Sequence, residues 1–285
     1  MEWIERAPAK INLTLDVLYK REDGYHELEM IMSSIDLADH LTFTPIEENR
    51  IEVYTNKAFL PVDKRNHVHQ AIRLVKEQFQ IDSGMLVEID KQIPVAAGLG
   101  GGSTDAAATL RALNGIWDLN LNREELIDLG MQIGTDVPYS MVGGTAFVSG
   151  RGENVRPIKP MPACWVVLAK PKISVSTKTI FKALEVAQLE NYEPQSRIVE
   201  AAIEAEDYEE MVRHLSNALE VVTFQRHPYL KNIKERMIRY GMDGVTMSGS
   251  GPTILGFSRN YSRAKRVYNS LRGFCEEVYI ARTIK

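Results

Sequence analysis

Pro94-Val95-Ala96-Ala97-Gly98-Leu99-Gly100-Gly101-Gly102-Ser103-Thr104 runs directly into Asp105-Ala106-Ala107-Ala108-Thr109-Leu110-Arg111-Ala112-Leu113. Glycine at 98, 100, 101 and 102 strips the backbone of side chains, and strong helix formers follow. A bare loop feeding a helix over 105–113 is therefore expected. Its unshielded N–H groups, the positive end of the helix dipole and the hydroxyls of Ser103 and Thr104 converge where an anion, a polyphosphate above all, would be held. The competing reading is a flexible turn with Ser103 or Thr104 as the helix cap. Two familiar phosphate loops do not match. No lysine follows Gly102 as a P-loop requires, and Gln92 to Ala97 separates the glycines from the strand-like Met85 to Asp90, where a dinucleotide fingerprint would begin at once.

The surrounding chain has 285 residues, enough for one large or two medium domains. Its 34 basic and 38 acidic residues leave a net charge of −4, which gives no general attraction to nucleic acid or an anionic membrane. No apolar run reaches membrane-spanning length, and Met1 to Arg6 lacks the apolar core of a signal peptide, so a cytoplasmic protein is expected. Cys164 and Cys275 have neither metal nor redox spacing and read as buried free thiols. Composition assigns neither a monomer nor a homodimer.

Along the chain, Ile11, Leu13, Leu15 and Val17 alternate with Lys10, Asn12, Thr14 and Asp16, the pattern of a half-buried strand whose polar face meets solvent. A charged turn at Gly24 leads through Tyr25 and His26 into a hairpin partner over 30–35, with further strands at 41–44 and 51–54. Residues 66–79 have helical periodicity. His67 and His69 imitate a metal pair there, but at a helix start they point to different faces and no acidic or cysteine companion accompanies them, so no resident metal is expected. A boxed helix over 122–133 ends at Gly134-Thr135-Asp136-Val137-Pro138, where Asp136 could cap a following helical turn. Glycine, proline and charge gather between 150 and 161, a domain boundary. Beyond it the pattern gives a strand at 163–169, a loop over 171–179 with a helix starting at Ile180, helix from about 196 to 224, and helix over 229–240. A tight glycine hairpin at 247–257, a helix over 259–272 and a closing strand at 277–284 complete it.

Three separated segments share one pattern: Ala7-Pro8-Ala9-Lys10-Ile11-Asn12-Leu13, then Pro94 to Ser103, then Ser248-Gly249-Ser250-Gly251-Pro252-Thr253. In this order and spacing they resemble the GHMP kinases, over essentially the whole chain. The resemblance implies an α+β, two-domain fold. An N-terminal ATP-binding and catalytic domain would span 1–152 and a C-terminal substrate-side domain 153–285, whose final strand could pack elsewhere, with the active site in the interdomain cleft. The triple glycine, Asp23-Gly24-Tyr25-His26-Glu27-Leu28 and Gly134-Thr135-Asp136-Val137-Pro138 are similar to the branch that phosphorylates the 2-hydroxyl of a diphosphocytidyl polyol in the non-mevalonate route to isoprenoids.

By the same resemblance Lys10 and Asp136 are the catalytic pair, the lysine stabilising charge and the aspartate taking or orienting the hydroxyl proton. Pro94, Val95, Ala96 and Ala97 belong to the ATP-binding segment and Gly98 to Thr104 take the ATP phosphates, with Asn66 and Lys91 along the nucleotide. Asn12, Tyr25 and His26 fall on the substrate side, and Thr177 and Phe181 match a cytidine clamp in which aromatic faces hold the base while His26 reads its edge. Ser248 to Thr253 close over the reacting groups. Mg²⁺ accompanies ATP, held by phosphates and water because no further acidic ligand is readable. Two rivals follow from the same residues: another small-alcohol kinase of the superfamily, and a non-catalytic nucleotide sensor on its scaffold.

Overall fold

A computed structural model describes residues 2–184 and 192–284. It divides into two compact units that are not consecutive halves of the chain. The first comprises Met1–Ala9, Leu37–Ile93 and Gly100–Val142, and the second Lys10–Asp36, Pro94–Leu99 and Gly143–Lys285. The 152/153 division expected from sequence thus differs from the division by compactness. Two long strands explain why: β1 (Trp3–Lys20) and β2 (His26–Ile46) each contribute one end to each unit. The pattern over 26–46 had read as two separate strands.

In the first unit β2 pairs antiparallel with β4 (Gly84–Asp90) from His40↔Asp90 to Ile46↔Gly84, and β3 (Ile51–Thr55) lies parallel to β4. Alternate residues Leu41, Phe43, Val87 and Ile89 turn inward onto α1 (His67–Phe79) and α2 (Gly101–Ile116). Alanines at 106, 107, 108 and 112 are fully buried, and their small side chains let α2 lie close to its neighbours. The helices α3 (Arg123–Met131), with Asn122 and Glu125 forming the expected capping box, and α4 (Val137–Val142) complete this unit.

In the second unit β2 pairs with β5 (Thr145–Gly150), which pairs with β6 (Asn154–Pro157). A separate antiparallel sheet has the order β11 (Glu277–Arg282), β7 (Trp165–Lys170), β10 (Ile254–Ser258), β9 (Gly244–Met247), so the closing strand joins β7. The expected 247–257 hairpin is the β9–β10 turn. The apolar faces of α9 (Pro228–Arg239) and α10 (Tyr261–Leu271) bury Leu230, Ile233, Met237, Val267 and Leu271 against this sheet. Both cysteines are free and buried, and burial raises the Cys164 thiol to about 12 and the Cys275 thiol to about 11, which leaves them inert.

Four local expectations are corrected. The helix after the glycines begins at Gly101 rather than 105; Gly100 is its cap in the left-handed region with no side-chain bond, so neither Ser103 nor Thr104 caps it. Helix α5 spans Thr177–Ala183, capped by Ser176, where a loop to 179 was expected. The run 196–224 is not one helix but α6 (Ser196–Glu204), α7 (Tyr208–Arg213), the two-residue strand β8 (Ser216–Asn217) and α8 (Glu220–Arg226). The fourth is the polar face of β1, where Lys10, Asn12, Thr14 and Asp16 are all buried. Asp16 accepts the Gln195 and Ser196 amides and the Tyr192 hydroxyl, Thr14 bonds Ser196, and β8 pairs with β1 through Thr14↔Ser216 and Leu15↔Asn217. A buried polar strand face is stable only when such partners satisfy it.

Candidate active site

In the first unit the start of α2 is arranged to receive an anion. The Thr104 amide donates to the Gly100 carbonyl at 2.8 Å, the first bond of the helix. The amides of Gly101, Gly102 and Ser103 precede it and receive no side-chain cap, so the dipole's positive end is presented bare. The glycines are also required by packing. A Cβ on Gly101 would stand 3.1 Å from Lys91 Nζ and 3.2 Å from Ile93 Cγ2, and one on Gly102 would stand 2.9 Å from His67 Nδ1.

Lys91 lies beneath this turn, buried, its ammonium 2.5 Å from Asp39 and 2.8 Å from Asp105. The other Asp39 oxygen accepts the amides of Gln92 and Ile93, whereas the other Asp105 oxygen is buried without a partner. Burial works against the Lys91 ammonium, but the two carboxylates outweigh it and hold its pKa above the usual value. Burial, reinforced by Asp39, pushes the Asp105 carboxyl well above the carboxylate range against the pull of Lys91. Asn66 caps α1: its side-chain oxygen accepts the Val68 amide and its NH₂ donates to the Pro61 carbonyl. Asp136 is half-buried ahead of α4, and its backbone carbonyl accepts both the amide and the hydroxyl of Ser140.

In the second unit the structure brings Lys10, Asn12, Gly98, Leu99 and Ser248 to Gly249 together. Lys10 Nζ donates to Asn12 Oδ1 at 2.8 Å and the Lys10 amide to the Leu99 carbonyl at 3.1 Å. Pro94 and Ala97 are buried, Val95 is half-buried, and Ala96 is exposed in the left-handed region at φ 52°. Gly98 is also left-handed, at φ +76°, and a Cβ there would meet the Ser248 carbonyl oxygen at 2.3 Å; the Ser248 hydroxyl donates to the Gly98 carbonyl at 2.9 Å. A Cβ on Gly249 would stand 3.6 Å from Lys10 Nζ.

A second group in this unit joins His26 to Phe181, their rings 5.4 Å apart and tilted by 33°. His26 is buried and its Nε2 has no hydrogen-bond partner; burial, then the nearby Lys20, lowers its pKa and favours the neutral ring. Tyr25 is exposed and carries the Arg151 guanidinium over its ring at 5.1 Å. Thr177, on the same helix as Phe181, bonds the Ser250 hydroxyl at 2.9 Å. His67 and His69 also keep a buried Nδ1 without a partner, but among the described residues no group of three or more His, Cys, Asp or Glu could hold a metal. The sequence reading missed Asp39, Asp105 and Arg151, and it missed Asn217 and Glu220 because their stretch reads as helix.

Comparison with known proteins identifies the family of the chain. Residues 66–144 match the GHMP kinases N terminal domain and residues 199–277 the GHMP kinases C terminal domain. The chain is 55% identical over 285 residues to a 4-diphosphocytidyl-2-C-methyl-D-erythritol kinase of Enterococcus faecalis, covering all of both proteins. It is 51% identical to a Bacillus velezensis protein of the same name, covering all of this chain and 98% of that one. A crystal structure of 4-(cytidine 5'-diphospho)-2C-methyl-D-erythritol kinase superposes with a TM-score of 0.83 at 30% identity, with complete coverage of both chains. A homoserine kinase of Cytophaga hutchinsonii, at 19% identity and a TM-score of 0.79, covers 98% of this chain and 94% of its own and shares the fold. Fold and domain matches define a small-molecule kinase of the GHMP class. Within that class the chain belongs to the 4-diphosphocytidyl-2-C-methyl-D-erythritol kinase family. Among the described residues no helix is long and apolar enough to cross a membrane.

Proposed function

We propose that this chain transfers the γ-phosphoryl group of ATP to the 2-hydroxyl of 4-diphosphocytidyl-2-C-methyl-D-erythritol, a step of the non-mevalonate route to isoprenoid precursors, in the cytoplasm. The hydroxyl oxygen attacks the γ-phosphorus, its proton passes to the Asp136 carboxylate, and the bond to the bridging oxygen breaks to leave ADP. Lys10 stabilises the charge on the transferring group. The bare amides at Gly101 to Ser103 suit the polyphosphate, with Pro94 to Leu99 and Thr104 beside it and Asn66 and Lys91 supporting the nucleotide side. Asn12, Tyr25, His26, Thr177 and Phe181 serve the acceptor. Residues 1–152 carry the ATP-binding and catalytic groups in this reading, and residues 153–285 the substrate-side segment. Magnesium accompanies ATP in this reading, held chiefly by phosphates and water.

The observation that carries the choice of acceptor is His26, a buried ring nitrogen without a partner beside the face of Phe181. A buried polar atom of this kind represents an unmade hydrogen bond, and a base edge stacked on Phe181 would make it. The test is a panel of acceptors at saturating ATP, followed by ADP release. The cytidyl polyol is expected to exceed its uridyl analogue, homoserine and mevalonate in kcat/KM, the last two by about a hundredfold or more, because each leaves the base site empty. Comparable turnover of homoserine or mevalonate would overturn the reading, and ATP binding without transfer to any alcohol would favour a nucleotide sensor.

A further inference from the structure

Within the stretch 196–224, Asn217 at the end of β8 and Glu220 and Thr223 in α8 hydrogen bond to Met247 at the end of β9 and to the turn that joins β9 to β10. Asn217 is 5% exposed. Its NH₂ donates to the carbonyls of Met247 and Gly249, both at 2.7 Å, and its side-chain oxygen accepts the Leu219 amide at 2.9 Å. Glu220 accepts the Met247 amide at 3.0 Å while paired with Lys234 at 2.6 Å, and the Thr223 hydroxyl reaches the Ser250 carbonyl at 3.3 Å. One side-chain amide therefore claims the carbonyls on both sides of Ser248. Ser248 itself bonds Gly98, and Gly249 is the turn residue that approaches Lys10.

We propose that Asn217 is a positioning residue for phosphoryl transfer: by engaging the Met247 and Gly249 carbonyls it fixes the 248–253 turn against Gly98 and keeps a carbonyl oxygen from turning onto the Lys10 ammonium. The inference rests on Lys10 being the charge-stabilising group. Without Asn217 two buried carbonyls would lose their donors, and a nearby ammonium is a strong alternative partner. A lysine so engaged has less charge to offer the γ-phosphoryl group. Geometry this close to a reacting centre is expected to matter more to the transfer step than to the affinity for either substrate.

The decisive substitution is Asn217→Asp, which keeps the size of the side chain and replaces both donors with acceptors. Measured per ATP-binding site at pH 8, kcat is expected to fall about thirtyfold or more, with less than a threefold change in either KM. The ratio to wild type is expected to rise about fivefold or more between pH 8 and pH 6, because a protonated carboxyl can again donate to one of the two carbonyls. Lys10 and the Glu220–Lys234 pair face the same turn in both proteins. Should Asn217→Asp melt below the assay temperature, Asn217→Ser retains one donor, and about a tenfold lower kcat is expected with both KM values kept. Lys10→Ala, run in parallel, separates the two levels of the reading. If it leaves kcat intact, the role of Lys10 is wrong. If it abolishes turnover while the Asn217 variants lose only melting temperature and keep wild-type kcat at every pH, Asn217 merely holds the fold and the inference is overturned.

Discussion

The two glycine-rich segments, 98–104 and 247–253, have similar compositions, but the first leaves amides uncapped and the second has its carbonyls bonded. At the start of α2 the amides of Gly101, Gly102 and Ser103 have no side-chain cap and point along a helix axis. In the later turn the carbonyls of Met247, Gly249 and Ser250 are each taken by a side chain, Asn217 or Thr223. Glycine content alone decides neither outcome. A helix of sixteen residues follows the first segment and orients its donors, whereas a strand precedes and follows the second and neighbouring side chains tie its acceptors down. The first is suited to holding phosphate, the second to keeping a fixed surface beside Lys10.

If this division is right, removing a charged group should do more than altering either glycine segment. Lys10→Ala and Asp136→Asn are each expected to lower kcat by about a hundredfold or more with melting temperature nearly kept, the usual scale for losing an acid/base or charge-stabilising group. Near-wild-type turnover in either, measured by steady-state ADP release, would take that residue out of the transfer step. Gly98→Ala comes next, because it attacks the contact between the two segments. Its methyl would stand 2.3 Å from the Ser248 carbonyl oxygen at a backbone φ of +76°, so a loss of about 1–3 kcal/mol in stability is expected, with weakened ATP binding. Thermal melts and calorimetric titration check it, and an unchanged melt would show that the two segments do not need their close approach.

His26→Ala touches neither glycine segment. It is expected to raise KM for the cytidyl acceptor about tenfold, within the range for a buried polar contact, and to narrow discrimination against a uridyl analogue while leaving the KM of ATP alone. Phe181→Ala should weaken both acceptors equally, since stacking does not read the base's edge. The smallest effect concerns the ground beneath the first segment. The folded state holds the Asp105 proton to higher pH than the unfolded chain does, so this group costs stability as pH rises above about 4 toward its raised folded value. Asp105→Asn, which copies the neutral acid, should therefore melt with a flatter dependence between pH 4 and 8 than wild type. Parallel curves would show that Asp105 is ionised throughout.

What the sequence made legible follows how local the determining contacts are. The α2 helix, the capping box at Asn122 and the β9–β10 hairpin rest on neighbours a few residues apart, and all three stand where expected, although the glycines themselves enter the helix. The polar face of β1 was unreadable for the opposite reason. Its alternation promises solvent, but Gln195, Ser196 and β8, some two hundred residues later, cover it with matching donors and acceptors. The same long-range pairing cuts β8 out of a helical pattern and conceals Asn217. Lys91 was assigned to the nucleotide by resemblance; the buried aspartates that hold it, Asp39 and Asp105, lie fifty-two residues before it and fourteen after it.

The most direct test of the first segment's role is to record backbone amide resonances of the isotopically labelled protein as ATP is added. The amides of Gly101, Gly102 and Ser103 should shift downfield as they donate to phosphate oxygens, with titration midpoints equal to the calorimetric dissociation constant. Saturable ATP binding that leaves these three amides unmoved would contradict the assignment of phosphate to the start of α2.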